Sequence, residues 1–357
     1  MADYFNILRN LVALSSENPP GDCKKIAKFV ANYFNHYTKA KVYIQKTTNG
    51  NINVIAKIGN PKFFINAHLD TVPATNGWQI SPYKLDEDGT KLYGLGATDV
   101  KGAIAAMLFA LKSSQPQNLL FLFNGDEEHG NNSGVRTFLK SHYVQNLELG
   151  IVTEPTYLNI VTCHSGICNF EITFWGKSCH SAYPDKGINA IELAIDFIQD
   201  LGPHKEILSK YSFRGLRPTL NIAFIKGGVK SSIVPDNCLI KINYRYPPNF
   251  GIEKMLKKFK RLTKGKNAVV RITHEIPPLD CGCKNNNLIS LLKSLGAKDN
   301  MPAVNFWSEA ALFSRAGIPT VVFGPGNILQ AHSADEFIEK AELVKSIEIY
   351  RNLFAKF

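Results

Sequence analysis

The sequence predicts an α/β protein: a mixed, largely parallel sheet flanked by helices, with a smaller ferredoxin-like α+β domain inserted into it. Three observations lead there. Over about the first 160 residues, apolar strand-like runs alternate with helical ones, the texture of a parallel sheet. From about residue 165 the order becomes strand, helix, strand, strand, helix, strand, the split β-α-β pattern of a ferredoxin-like unit. After Pro277-Pro278 the α/β texture returns, and 357 residues are too many for one ordinary core. The chain therefore divides into a discontinuous outer domain, 1–165 and 282–357, and an insert, 166–281.

In chain order, residues 4–14 and 22–37 read as helices separated by the breaker Asn18-Pro19-Pro20-Gly21. Strands follow at 42–45, 53–58, 63–67, 119–123 and 150–153, with helices at 102–111 and 134–139. The run Leu119-Leu120-Phe121-Leu122-Phe123 is apolar without alternation, as in a strand covered on both faces. In the insert, the strands are 169–174, 219–225, 239–246 and 268–273, and the helices are 189–201 and 251–262. Ile191, Ala194, Ile195 and Ile198 make the apolar stripe of the first of these helices. A strand at 319–323 and a helix from about 335 to 352 complete the outer domain.

Composition narrows the function classes. With 45% hydrophobic and 20% charged residues the chain has the make-up of a globular protein. No apolar run approaches the roughly 20 residues of a membrane helix, and no basic region leads into an apolar signal core. A cytoplasmic location without membrane attachment is the expectation. Seven scattered cysteines, an odd number, point to reduced thiols, and Cys281-Gly282-Cys283 without a second pair reads as hinge sequence. The net charge of +11 is concentrated in residues 161–281, where 18 basic residues face 10 acidic ones. Its densest part, 254–266, lies on a helix whose other face carries Ile252, Met255, Leu256, Phe259 and Leu262, so those lysines form a solvated helix face. Few aromatics interleave with them, and no nucleic-acid partner is expected.

Chemistry-bearing residues gather at the predicted carboxyl ends of strands, where α/β folds build their sites. His68-Leu69-Asp70 puts an imidazole and a carboxylate on one side of an extended chain, so one can bind metal while the other orients it. Asp99 stands in a glycine-rich turn before an apolar helix, and Glu127-Glu128 follow the 119–123 strand. Glu154 follows the 150–153 strand, and His332 sits in the loop after Gly324-Pro325-Gly326. Singly, each also reads as a helix cap, a turn or a surface side chain. Together, two histidines and several acids without thiolate suit a pair of Zn²⁺ ions.

His68-x-Asp70, Asp99-Val100-Lys101-Gly102, Asp126-Glu127-Glu128-His129-Gly130, Thr153-Glu154-Pro155 and the late His332 resemble the dinuclear zinc amidohydrolases of the acetylornithine deacetylase, succinyl-diaminopimelate desuccinylase and carboxypeptidase G2 group. The likeness covers nearly the whole chain, with every motif in order. It implies a zinc-peptidase-like outer domain and two zinc ions per subunit, replaceable by cobalt. His68 and Glu154 would hold one ion, Glu128 and His332 the other, and Asp99 would bridge them. Asp70 would orient His68, Glu127 would be the general base, and the Asp99-Val100 peptide would be cis. The segment Gly176-Lys177-Ser178-Cys179-His180-Ser181-Ala182-Tyr183-Pro184 is similar to the lid motif of this group, whose histidine reaches the partner subunit's site to stabilise an oxyanion. The insert would then be a lid and dimerisation domain, and the protein a homodimer. Arg245 matches the lid arginine that grips a substrate carboxylate, a task for a planar, bidentate guanidinium.

The resemblance implies hydrolysis of an N-acyl amino acid, foremost N-acetylornithine, in arginine biosynthesis. A desuccinylase, an acetylcitrulline deacetylase, an aminoacylase or dipeptidase, and a binding protein on an inactive scaffold are the rival readings. Leu95, Ser165 and Ser232 depart from common family patterns, but none is a presumed ligand. His164-Ser165-Gly166 and Ser308-Glu309-Ala310 look more like deacetylases than desuccinylases. Glu309 would then set the side-chain preference, an acid suiting a cationic ornithine chain.

Overall fold

The computed structural model describes residues 3–282 and 286–357, so Cys283 lies outside the described residues. The chain forms two compact units. One comprises the residues up to Thr162 with Cys281–Pro302 and Ser308–Phe357, and the other Cys163–Asp280 with Ala303–Trp307. The short segment 303–307, grouped with the outer domain in the sequence reading, joins the second unit because Ala303–Val304 pairs in parallel with Cys163–His164.

The first unit is built on a six-stranded sheet in the order Lys41–Lys46, Ile52–Ile58, Leu119–Asn124, Phe63–His68, Leu149–Val152, Thr320–Val322. The last four run parallel to one another, and the first two are antiparallel additions at one edge. Every residue of Phe63–His68 and of Leu119–Asn124 is buried, which explains why both read as unbroken apolar runs. The edge strand Lys41–Lys46 is instead mostly exposed and carries lysine at both ends, a charged edge that discourages further pairing. The helix Gly102–Ser114 is apolar almost all round and packs between Asp3–Ala13 and Lys340–Phe354. Phe121 anchors this helix layer to the sheet through Phe34 and Phe354, with ring centroids 5.0 and 5.4 Å away.

The C-terminal helix begins at Lys340, later than the sequence pattern indicated, because Phe337–Glu339 is a strand. It pairs antiparallel with Lys91–Tyr93, a partner too distant in sequence for local periodicity to register.

The second unit is a four-stranded antiparallel sheet in the order Thr219–Gly227, Asn237–Tyr246, Gly166–Trp175, Ala268–Ile276. With its two helices it has the expected strand-helix-strand-strand-helix-strand order. Cys168, Phe170, Ile172 and Phe174 alternate into the core, where they meet Ala194, Phe197 and Leu201 of one helix and Met255 and Phe259 of the other. The helix expected to stop at Leu201 runs as Ala190–Ser209, through Gly202 and Pro203. Leu208 enters the same core, and that burial carries the helix past its breakers. Among the described residues no helix is long and apolar enough to cross a membrane.

Candidate metal centre

Three adjacent parallel strands of the first unit end side by side and aim their following loops at one place. His68 closes its strand opposite Asn124, and Glu154 follows the neighbouring strand Leu149–Val152. Asp99 stands in the turn Ala97–Lys101 at the start of the buried helix, and the Asp99–Val100 peptide is cis.

Asp126, Glu127 and Glu128 are consecutive acids with different surroundings. Asp126 is fully buried and accepts from the Ser133 amide at 2.6 Å, the Gly134 amide at 2.9 Å and the Ser133 hydroxyl. It thereby satisfies orphan amides at the start of the helix Ser133–Leu139. Capping, the structural role the acidic run also suggested, thus falls to Asp126. The Glu127 and Glu128 amides donate to Asp70 Oδ1 at 3.3 Å and Oδ2 at 3.1 Å, and Asn18 donates to Oδ2 at 2.9 Å. Asp70 therefore fixes the backbone of the Glu127-Glu128 pair. Its link to His68 runs mainly through its main-chain carbonyl, 2.9 Å from His68 Nδ1, with the carboxylate at 3.6 Å.

With Nδ1 so engaged, His68 Nε2 faces Asp99 Oδ1 at 3.0 Å. His332 Nε2 lies 3.1 Å from Glu128 and 3.6 Å from Asp99 Oδ2. Among the described residues, three sets of side chains bring one donor atom each within 4.8 Å of one another: His68, Asp99 and Glu154; Asp99, Glu128 and His332; and His68, Glu127 and Glu128. Asp99 is common to the first two. Each of these sets could hold a divalent cation, since imidazole nitrogens and carboxylate oxygens are zinc and cobalt ligands. Glu154, 5% exposed, keeps Oε1 buried without a hydrogen-bond partner, a donor atom suited to a cation.

The electrostatics agree with that donor chemistry. Burial, then repulsion from Glu128, Asp70 and Asp99, pushes the Glu127 carboxyl well above its usual range. Burial and Asp99 do the same to Glu154, and burial raises Glu128 despite its hydrogen bond to His332. Burial would lower the His68 imidazole, but Asp70, Asp99 and Glu154 hold it well above its ordinary value. His332, bonded to Glu128, is raised to about 9. So many buried carboxyls crowded together is costly unless positive charge joins them.

Glu309 is also buried, 1% exposed, and accepts from Asn124 Nδ2 at 2.8 Å. Burial and the nearby Glu127 push its carboxyl up. The remaining candidates, His180 and Arg245, belong to the second unit. His180 is exposed, with Nδ1 accepting from the Ala182 amide at 3.1 Å. Arg245 is half-buried and lines an open pocket of about 530 Å³ with Arg217, Thr219 and Asn305. Neither guanidinium makes a hydrogen bond or ion pair among the described residues. The buried Cys281 thiol donates to the Thr320 carbonyl at 2.8 Å, a backbone contact rather than a ligand position.

Three supporting residues carried no signal in the sequence. Asn18 and Asn124 hold the carboxylates of Asp70 and Glu309, and Glu336 binds the turn that carries Asp99. Their partners stand 52, 185 and 237 residues away, beyond any local pattern.

Residues 64–356 match the profile of peptidase family M20/M25/M40. An N-acetyl-L-citrulline deacetylase of Xanthomonas campestris pv. campestris is 30% identical over 98% of this chain and 96% of its own. An acetylornithine deacetylase of Proteus mirabilis is 32% identical over 87% of this chain and 84% of its own. Among solved structures, an M20 family metallo-carboxypeptidase of Sulfolobus solfataricus superposes with a TM-score of 0.80 over 100% of both chains at 19% identity, a likeness of fold. With the family profile spanning most of its length and these relatives covering nearly all of it, the chain belongs to peptidase family M20/M25/M40.

Proposed function

We propose that the chain is a metal-dependent amidohydrolase that splits the amide bond of an N-acyl amino acid, with N-acetylornithine as first substrate and ornithine and acetate as products. One observation carries the reading: two ligand sets share Asp99, while Glu127, half-buried and grouped with His68 and Glu128, stands outside both. Relatives named as deacetylases of acetylated amino acids support the substrate class. N-acetylcitrulline is the second reading, supported by a relative named for it that is 30% identical over 98% of this chain.

His68 and Glu154 would hold one divalent cation, Glu128 and His332 the other, and Asp99 both. Zinc is the proposed metal and cobalt a functional substitute. When bound, such a pair acidifies a water molecule and polarises the amide carbonyl. Glu127 takes the proton of the attacking water and later delivers it to the departing amine. A carboxyl pushed up by burial and by Glu128 is matched to that exchange near neutral pH. Asp70 keeps Glu127 in reach by accepting its main-chain amide. Glu309, buried and bonded to Asn124, sets side-chain preference as an acid that suits a cationic ornithine chain.

On the second unit, Arg245 grips the substrate carboxylate and His180 donates to the oxyanion, a contribution typically worth a few kcal/mol. The unengaged guanidinium in an open pocket supports the first role, and the exposed imidazole supports the second. We assign that unit as the lid and dimerisation domain of a cytoplasmic homodimer acting in arginine biosynthesis.

A substrate panel tests the reading. Acetylornithine, acetylcitrulline and succinyl-diaminopimelate are offered to zinc- and cobalt-loaded protein. Preference for an acetylated substrate is expected, and clear preference for the succinylated one overturns it. Sedimentation gives the assembly state, and a monomer would remove the dimer.

A further inference from the structure

In the turn that carries Asp99, the dihedrals at Asp99 and Val100 are not helical, and only the Ala97 and Lys101 amides meet main-chain carbonyls, of Gly94 at 2.9 Å and Gly96 at 2.8 Å. Gly96 stands at φ +80°. The amides of Gly96, Thr98 and Asp99 therefore need acceptors from elsewhere, since all three lie in buried surroundings. Glu336 supplies them. Its carboxylate, 1% exposed, accepts from the Gly96 amide on Oε2 at 2.8 Å, and from the Thr98 and Asp99 amides on Oε1 at 2.8 and 3.0 Å. Its own carbonyl accepts the Gly94 amide at 2.9 Å. The position of Glu336 is fixed in turn by the strand that starts one residue later, Phe337–Glu339, paired with Lys91–Tyr93 just ahead of the turn. A short two-stranded ladder thus delivers one buried carboxylate onto three amides.

We infer that Glu336 is a positioning residue for the metal centre: through the Asp99 main chain it sets where the shared carboxylate stands, and so controls both cation sites at once. The inference rests on the reading of Asp99 as a ligand common to two cations. Glu336 touches neither a proposed cation nor its donor atoms, and acts only through the turn. A carboxylate meets the geometry better than an amide would, because all the donors are N–H groups and glutamine would turn an NH₂ towards at least one of them.

The two proposals fail in distinguishable ways. Metal-free protein is titrated with Zn²⁺ and with Co²⁺, followed by calorimetry and by Co²⁺ visible absorption. Wild type should take up two cations, and uptake of none or one refutes the metal-site reading itself. Glu336→Gln should weaken both cations together, by about 10- to 100-fold each, as removal of supporting hydrogen bonds around metal ligands typically does. Glu154→Gln should weaken one far more than the other. Phe34→Leu is the structural control: it trims a core ring packed 5.0 Å from Phe121, outside the turn and its ladder, and should lower the melting temperature while leaving cation affinity within about threefold. If Glu336→Gln does not fold, Glu336→Asp keeps the charge but draws the carboxylate back by one methylene and should weaken both sites in the same way. Two cations bound with wild-type affinity in a folded Glu336 variant, or a loss confined to one of them, overturns the inference and leaves the metal-site reading standing.

Discussion

Replacing Glu127 and Glu128 one at a time by glutamine separates proton transfer from cation binding. The two residues are neighbours, both buried or nearly so, and an acid-to-amide change conserves their shape. Glu128 belongs to two of the three donor sets and touches His332 at 3.1 Å, whereas Glu127 belongs to one and has no such contact. Loss of a general base costs about 10²- to 10⁴-fold in rate, or about 3 to 5 kcal/mol of barrier at 1.36 kcal/mol per decade. Glu127→Gln should therefore lose at least a hundredfold in kcat with its bound metal close to two per chain. Glu128→Gln should fall towards one cation per chain after dialysis, with activity partly restored by excess metal. A second consequence follows from burial. The Glu127 carboxyl is held above its unfolded value, so its ionisation destabilises the metal-free fold as pH rises from about 4.3. Metal-free Glu127→Gln should then match wild type in melting temperature near pH 4 and exceed it at pH 7. Metal content after dialysis, kcat with added zinc, and melting curves at two pH values make up the assay. Equal metal loss in both variants, or a kcat for Glu127→Gln within tenfold of wild type, refutes the division of labour.

Three further outcomes are expected. Cation binding at pH 7 should release protons, because the carboxyls of Glu127 and Glu154 and the imidazoles of His68 and His332 all hold them more tightly than usual; calorimetry in buffers of different ionisation heat would show it, and identical heats would contradict it. Metal-free protein should melt at progressively lower temperature from about pH 5 to pH 8. Glu336, raised to about 7 by burial and Asp99, loses its proton over that range, and His332, raised to about 9, begins to lose the stabilising charge that its folded pKa protects. Lys101, lowered to about 8 by burial, acts in the opposite sense only above that pH, and saturating zinc should flatten the whole dependence. Arg245→Gln should raise KM for an N-acetyl amino acid roughly thirtyfold, a loss of about 2 kcal/mol for charged hydrogen bonds, with little change for the corresponding amide that lacks the carboxylate; an equal effect on both compounds would remove the carboxylate contact.

How much of this was legible in the sequence depends on the range of the interaction. The buried strands Phe63–His68 and Leu119–Asn124 were evident because burial on both faces leaves an unbroken apolar run, and the acids after them stood out because strand ends are where polar residues interrupt such runs. The insert was legible for the same local reason, since Ala194, Met255 and Phe259 recur at helical spacing, but the stripe read through Ile195 is displaced: Ile195 is exposed and Phe197 enters the core instead. Interactions closed over long sequence distances were not. Nothing around Glu336 marks it as the acceptor for the Asp99 turn, and its strand was absorbed into the following helix because three residues carry no period of their own. Asp126 and Glu127 could not be told apart by composition; only the fold gives the first to a helix and groups the second with His68 and Glu128, outside the two sets that share Asp99.

The central claim, that these carboxylates and histidines form a two-cation hydrolytic site, is tested most directly by one titration. Metal-free protein is loaded stepwise with zinc while N-acetylornithine hydrolysis and bound metal are recorded on the same samples. The metal-free protein should be inert, activity should rise to a maximum near two zinc ions per chain, and chelation should abolish it. Full hydrolysis without metal, or two bound zinc ions with no hydrolysis of any acetylated amino acid, would contradict it.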